Sequence, residues 1–312
     1  MKHVVFVLFI GSVCVQVHAQ LKGDHLLGDF GLQAGTQAPP SVIGALPFYW
    51  YDAAKLKDDN GDVLTSSVDM HAFLVGLGGS VVTNLKILHA NYGASLLFCF
   101  MSTRIEGNKI QATGSLGFSD TYAQPLQLGW HWKQVDATVG YAMYIPTGKY
   151  EYGGSGNKGL GMWGHEFSAG GTVFFDKKKT FHFSAIGFYE THSEKKDTTT
   201  KVGDIITAEG GVGKTWYKKI EGFPIPVVFN AGVIYYFQWK VTDDKIAVGS
   251  NSFTGNKDRI YSWGLEFNVL QPKWRSSMSI RWLDEAGARN RFEGNTFLIT
   301  YGFIIKSLGK KK

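Results

Sequence analysis

Cysteine and proline are scarce: two cysteines, Cys14 and Cys99, and eight prolines stand in 312 residues. With a leader removed, Cys99 is left alone, which excludes an internal disulfide and any cysteine-built metal site. It lies in the apolar run 95–101, where a buried, inert thiol is expected. Past the N-terminus no apolar stretch reaches the roughly 20 residues of a spanning helix, so residence in a membrane has to be by strands. No basic stripe interleaved with aromatics accompanies the formal net charge of +6. Much of the excess sits in Lys177-Lys178-Lys179, Lys195-Lys196 and Lys310-Lys311-Lys312, which read as turns and a solvated tail, so no nucleic-acid partner is expected.

Glycine and aromatics are abundant: 39 glycines, 22 phenylalanines, 14 tyrosines and 9 tryptophans. They suit strand bends and the aromatic girdles of membrane barrels. The chain opens with Lys2 and His3, an apolar run over 4–17, and Val17-His18-Ala19, which is the pattern of a secretory signal peptide over 1–19. Gly11-Ser12-Val13 before Cys14 does not match a lipoprotein acceptor. Residues 20–42 carry Gly23-Asp24-His25-Leu26-Leu27-Gly28-Asp29-Phe30-Gly31 and Pro39-Pro40, too broken for a strand or a long helix. They are expected either as a short plug-like segment in or under a barrel mouth or as a disordered periplasmic leader.

The rest alternates with a period of two. Over 134–145, Val135, Ala137, Val139, Tyr141, Met143 and Ile145 oppose Gln134, Asp136, Thr138, Gly140, Ala142 and Tyr144. About ten residues of such alternation suit a tilted strand with lipid on one side and a lumen on the other. Phe229, Ala231, Val233, Tyr235, Phe237 and Trp239 repeat it, as do Trp263, Leu265, Phe267 and Val269. Strands are expected near 43–55, on to 82, 85–103, 125–133, 135–146, 163–175, 180–191, 204–216, 225–240, 258–271, 274–284 and 295–306. Turns are placed at Asn60-Gly61 and Thr83-Asn84, and a longer connection at 104–124. Connections near 133–135, 176–179, 217–224 and 271–273 are short, and those at 147–162, 192–203, 241–257 and 285–294 long. The fold class is therefore all-β: a transmembrane antiparallel β-barrel of about 12 strands (14 at most) over 43–306, with a basic tail at 307–312. A soluble sandwich also alternates, but tryptophans near strand ends, strand lengths and the turn asymmetry favour the barrel.

The ordered series Tyr144-Ile145-Pro146-Thr147-Gly148-Lys149-Tyr150, Trp163-Gly164-His165-Glu166, Gly171–Asp176, Tyr189-Glu190-Thr191-His192 and Thr198–Asp204 resembles the outer-membrane proteins linked to the meta-cleavage pathway of phenol degradation. Val202 stands where that family carries proline, and the chain runs past Phe303 to lysines rather than ending on an aromatic. The resemblance implies passage of small hydrophobic or aromatic solutes across the outer membrane, reached after signal cleavage, with membrane lipid as the other partner.

Charged side chains at membrane depth are costly on the lipid face, so His131, Asp136, Glu166, His182, Glu190, Glu209, Glu266 and Arg281 are expected to line the lumen. They either line a solute path and hold the N-terminal segment, or form a packed, salt-bridged interior. Lys149, Tyr150 and Tyr152 in the glycine-rich loop are candidates for the external mouth. Residues 208–215 look like a phosphate loop but lack its first glycine and sit within a strand. His25, His165 and His192 lack metal-ligand spacing, so no metal or cofactor is expected. The competing classes are a structural or adhesive surface barrel, and a lipid hydrolase using Ser193 beside His192, for which no orienting partner is evident. No enzyme is expected.

Overall fold

The computed structural model describes residues 22–309 apart from 66, 108, 109, 155, 223, 224, 249, 250 and 256. The expected signal peptide and the last three lysines of the tail lie outside the described residues. In chain order the strands are β1 (Ser41–Lys57), β2 (Val63–Thr65), β3 (Val68–Ile87), β4 (Ala90–Gly107), β5 (Ile110–Phe118) and β6 (Thr121–His131). They continue with β7 (Val135–Ile145), β8 (Gly164–Phe174), β9 (Phe181–His192), β10 (Ile205–Lys218) and β11 (Val227–Lys240). The last are β12 (Asp244–Val248), β13 (Asn251–Gly255), β14 (Arg259–Gln271), β15 (Ser276–Arg289) and β16 (Phe292–Ser307). Among the described residues no helix is long and apolar enough to cross a membrane.

All but the β12–β13 hairpin join one antiparallel sheet, and β16 pairs back onto β1, so the sheet closes on itself. β2 is a spur of three residues on β1. β5 and β6 are the two halves of one wall strand against β4, parted at Ser119 and Asp120. The wall is thus a closed barrel of 12 strands.

Alternation builds the wall. Along β9, Phe181, Phe183 and Tyr189 are exposed on the outside while His182, Ser184, Ile186, Phe188, Glu190 and His192 are buried inside. A slip of one residue would turn His182, Glu190 and His192 to lipid, so the register is strongly specified. One buried apolar cluster sits inside the barrel. It comprises Leu27 and Leu32 of the N-terminal segment against Tyr49, Ile234, Tyr236, Ile260, Leu283 and Leu298 of the wall.

Four expected connections are corrected. Residues 104–124 are mostly strand: Gly114 and Gly117 do not turn the chain but leave room for the Lys158 side chain, whose Nζ stands 2.7 Å from where a Gly114 Cβ would be. β3 runs through Thr83-Asn84 and reverses at Leu88-His89, both at positive φ (49° and 66°) as a tight hairpin needs. The connection at 285–294 shrinks to Asn290 and Arg291, because Glu285 is a wall residue whose carboxylate takes the Gly294 N–H at 2.8 Å. Residues 241–257 fold their own hairpin, β12–β13. The connection between β15 and β16, expected to be long, is therefore short.

Candidate functional site

Residues 22–38 have no strand partner, yet they run inside the barrel with seven of their N–H groups hydrogen-bonded, three within the segment and four to the wall. The wall supplies acceptors. Asp24 N donates to Glu190 Oε1 (2.5 Å), and Gly28 N and Phe30 N donate to the two oxygens of Glu209 (2.7 and 2.8 Å). Leu32 N donates to Glu266 Oε2 at 2.6 Å. His25 bridges two strands, its Nδ1 2.6 Å from Glu166 Oε2 and its Nε2 3.3 Å from Glu209 Oε1. Arg281 Nε lies 3.1 Å from Glu266 Oε1, and its Nη1 donates to the carbonyls of Gly28 and Asp29. A buried peptide left unpaired costs about as much as a lost hydrogen bond, and bonds to ionised acceptors are the strong ones. These carboxylates do for an irregular segment what a neighbouring strand does for a regular one.

Burial opposes charge on His25, but the Glu166 and Glu209 carboxylates outweigh it and hold the imidazole well above its ordinary range. The cation is needed. Glu166 and Glu190 face each other across the β8–β9 ladder, and like charges so placed repel.

Asp136, Glu166, His182, Glu190, Glu209 and Glu266 are all buried on the inner face, and Arg281 is nearly so. Five of them, Glu166, Glu190, Glu209, Glu266 and Arg281, converge on the segment. Asp136 holds its far end: Thr36 Oγ1 donates to Asp136 Oδ2 at 3.2 Å, and Lys179 Nζ lies 3.0 Å from Oδ1. His131 is the exception among the candidates. As the last residue of β6 it stands exposed at the rim, 3.2 Å from Asp136 Oδ1. His182 is buried with neither ring nitrogen hydrogen-bonded and joins none of these networks. At the other rim Lys149 and Tyr152 are exposed and Tyr150 is half-buried under Lys195 Nζ, which lies 5.5 Å from its ring centre. Tyr152 Oη donates to the Ala247 carbonyl at 2.9 Å. Ser193 donates its hydroxyl proton to the Glu194 carbonyl (2.9 Å), while His192 Nε2 meets Glu190 Oε1 (2.8 Å), so the two are not paired as nucleophile and base.

The segment packs on one side of the lumen. Between it and the opposite wall of β1, β3, β4 and β6 lies a cavity of about 500 Å³, lined by Pro47, Tyr49, Leu74, Leu97, Tyr122 and Tyr144 with Leu26 and Phe30 of the segment. Aromatic and aliphatic groups dominate this wall, but Asp24, His25, Asp120, Glu166, Glu285 and Arg291 also line the cavity. Sequence reasoning missed the cavity. The signal lay in Phe48-Tyr49-Trp50-Tyr51, an aromatic run without alternation: a strand apolar on both faces needs lipid outside and an apolar interior. The sequence also gave no sign that Asp24 meets Glu190 and His192, since the nearest of these is 166 positions away.

A family model described as putative MetA-pathway of phenol degradation matches residues 53–301. No curated protein matches the chain. Among solved structures, an outer membrane channel from Pseudomonas putida F1 superposes with a TM-score of 0.70 at 11% identity, covering 90% of this chain and 100% of that one. The β domain of the Bordetella autotransporter BrkA gives 0.48 at 10% identity, covering 85% of this chain and 100% of that one. The CymD monoaromatic hydrocarbon channel gives 0.38 at 11% identity, covering 88% and 91%. The first of these likenesses bears on the fold; the other two superpose too loosely to add to it.

Proposed function

The chain belongs to the family described as putative MetA-pathway of phenol degradation, and from that membership we propose that it is an outer-membrane channel for the passive uptake of small hydrophobic or aromatic compounds, not a catalyst. The observation that carries this reading is the cavity of about 500 Å³, walled by tyrosines and leucines, beside the N-terminal segment. Its size falls in the range of small-molecule sites, and an apolar cavity of about 150 Å³ already accepts benzene. A monoaromatic solute burying about 150 Å² gains roughly 4 kcal/mol, a dissociation constant on the order of 1 mM. Weak binding of this kind suits conduction, because a solute held tightly would not leave.

In this reading the rim with Lys149, Tyr150 and Tyr152 faces outward and the turns at Leu88-His89, 132–134 and Pro272–Trp274 face the periplasm, which the chain reaches after loss of the leader. Exposed Trp216, Trp263, Phe267 and Trp282 meet lipid. The segment 22–38 narrows the lumen, and solutes pass along its apolar side.

The test is planar-bilayer conductance of the refolded chain against one lacking residues 20–38, paired with quenching of intrinsic tyrosine fluorescence by phenol-like solutes. Saturable quenching at millimolar solute, with conductance that rises on truncation, is expected. No quenching, and no conductance from either chain once folding is shown by circular dichroism, would sink the channel reading and favour a closed structural or adhesive barrel.

A further inference from the structure

We propose that Asp24, Glu190 and His192 form a site for one divalent transition-metal ion that pins the N-terminal segment to β9. Glu190 and His192 are two residues apart on a strand and so share its inner face. Asp24 is brought to them by the segment, and one ligand atom from each of the three lies within 4.8 Å of the others.

Glu190 and His192 are 0% and 3% exposed. Asp24 N and His192 Nε2 both meet Glu190 Oε1, at 2.5 and 2.8 Å. That leaves Asp24 Oδ2, Glu190 Oε2 and His192 Nδ1 all buried without a hydrogen-bond partner. Buried polar atoms are almost always satisfied, and an orphan asks for an explanation. Here two orphans, Asp24 Oδ2 and Glu190 Oε2, belong to the carboxylates of one cluster, and the His192 nitrogen turned toward Glu190 is Nε2. The Asp24 and Glu190 carboxylates are packed together, with His192 against Glu190.

The donor set selects the ion. Two carboxylate oxygens and one imidazole nitrogen suit zinc and its first-row neighbours, whereas calcium and magnesium favour oxygen throughout. Ligands about 2.1 Å from zinc stand roughly 3.4 Å apart in a tetrahedron, so the cluster closes on an ion by a contraction on the order of 1 Å. Three protein ligands leave the fourth position to water. Binding requires a neutral imidazole and two carboxylates, so it releases protons and weakens in acid. The pin is independent of what passes through the barrel: it concerns where the segment sits, and it holds or fails whether or not solutes are conducted.

The experiment titrates zinc chloride into the refolded, chelator-stripped full mature chain by calorimetry, with the retained metal counted by mass spectrometry. Hydrogen exchange over residues 22–32 is measured with and without zinc. One zinc per chain and slower exchange in its presence are expected. Asp24→Asn and His192→Gln each weaken zinc by at least about 10²-fold, more than the loss of an outer-shell partner costs. His165→Gln, on the outer face of β8, leaves the affinity unchanged. Asp24→Asn alters only the segment, so the barrel wall still forms, as heat-dependent gel mobility reads directly. Less than one zinc per chain, zinc that survives Asp24→Asn, or exchange indifferent to zinc would each overturn the site.

Discussion

Replacing Glu209 by glutamine tests how the segment is held. The Glu209 carboxylate accepts from Gly28 N at 2.7 Å, Phe30 N at 2.8 Å and His25 Nε2 at 3.3 Å, and it is fully buried. Glutamine keeps the shape but offers one acceptor oxygen, turns an amide N–H toward a donor, and removes the charge opposite His25. Hydrogen bonds to a charged group contribute about 1.5–3 kcal/mol each, and breaking a buried ion pair costs about 3–5 kcal/mol. These overlap and do not add, so the loss is taken as about 3 kcal/mol. At 1.4 kcal/mol per decade that is on the order of 10²-fold in the equilibrium between attached and released segment. Native-state hydrogen exchange reads it directly, because the Gly28 and Phe30 amides are themselves the donors. Their exchange, and that of Leu32, speeds by about 10²-fold in Glu209→Gln, while the amides of β14 and β15 keep their wild-type rates. Exchange within about threefold of wild type at Gly28 and Phe30 would refute the reasoning, as would equal acceleration throughout the wall.

Gly35→Ala places a Cβ against the backbone of Gly171, which cannot give, so the segment's far end lifts off β8 and bilayer conductance rises with the wall intact; unchanged conductance and exchange would contradict this. Ala72→Trp fills part of the cavity from β3 and is expected to abolish saturable quenching by phenol-like solutes while heat-shifted gel mobility stays that of the native barrel. Lys195, at the loop rim, is buried with its ammonium on the Leu160 carbonyl at 2.8 Å, and burial lowers its pKa to about 8 from 10.5. Between those values the unfolded chain binds the extra proton, so stability rises with pH by on the order of 3 kcal/mol from pH 8 to 10.5. Lys195→Met should flatten that part of the profile, measured as wild type minus variant in urea unfolding.

Much of the wall was legible in the residues, and for a local reason. Side chains alternate across a strand, so Phe181, Phe183 and Tyr189 on one parity and His182, Glu190 and His192 on the other declare their faces without knowledge of any partner. The cost of charge in lipid then turns Asp136, Glu166, Glu209, Glu266 and Arg281 inward, which is where they lie. Turn positions were less legible. Thr83-Asn84 carries turn residues but lies within β3, because register with β4 and the reach to Leu308, whose carbonyl takes Asn84 Nδ2 at 2.5 Å, decide where the hairpin reverses. Gly114 and Gly117 read as loop because nothing nearby in the sequence announces that Lys158 needs their space.

The sequence by itself determined a two-faced wall of strands, since a period of two and the price of burying charge in lipid are properties of each strand alone. Only the tertiary structure decided that residues 22–38 lie on Glu190, Glu209 and Glu266, that a tyrosine-walled cavity remains beside them, and that Asp24 stands by His192. Those contacts join positions far apart in the chain. Barrel closure, with its particular register and stagger, sets which inward side chains share a level of the lumen, and periodicity along one strand carries no information about that.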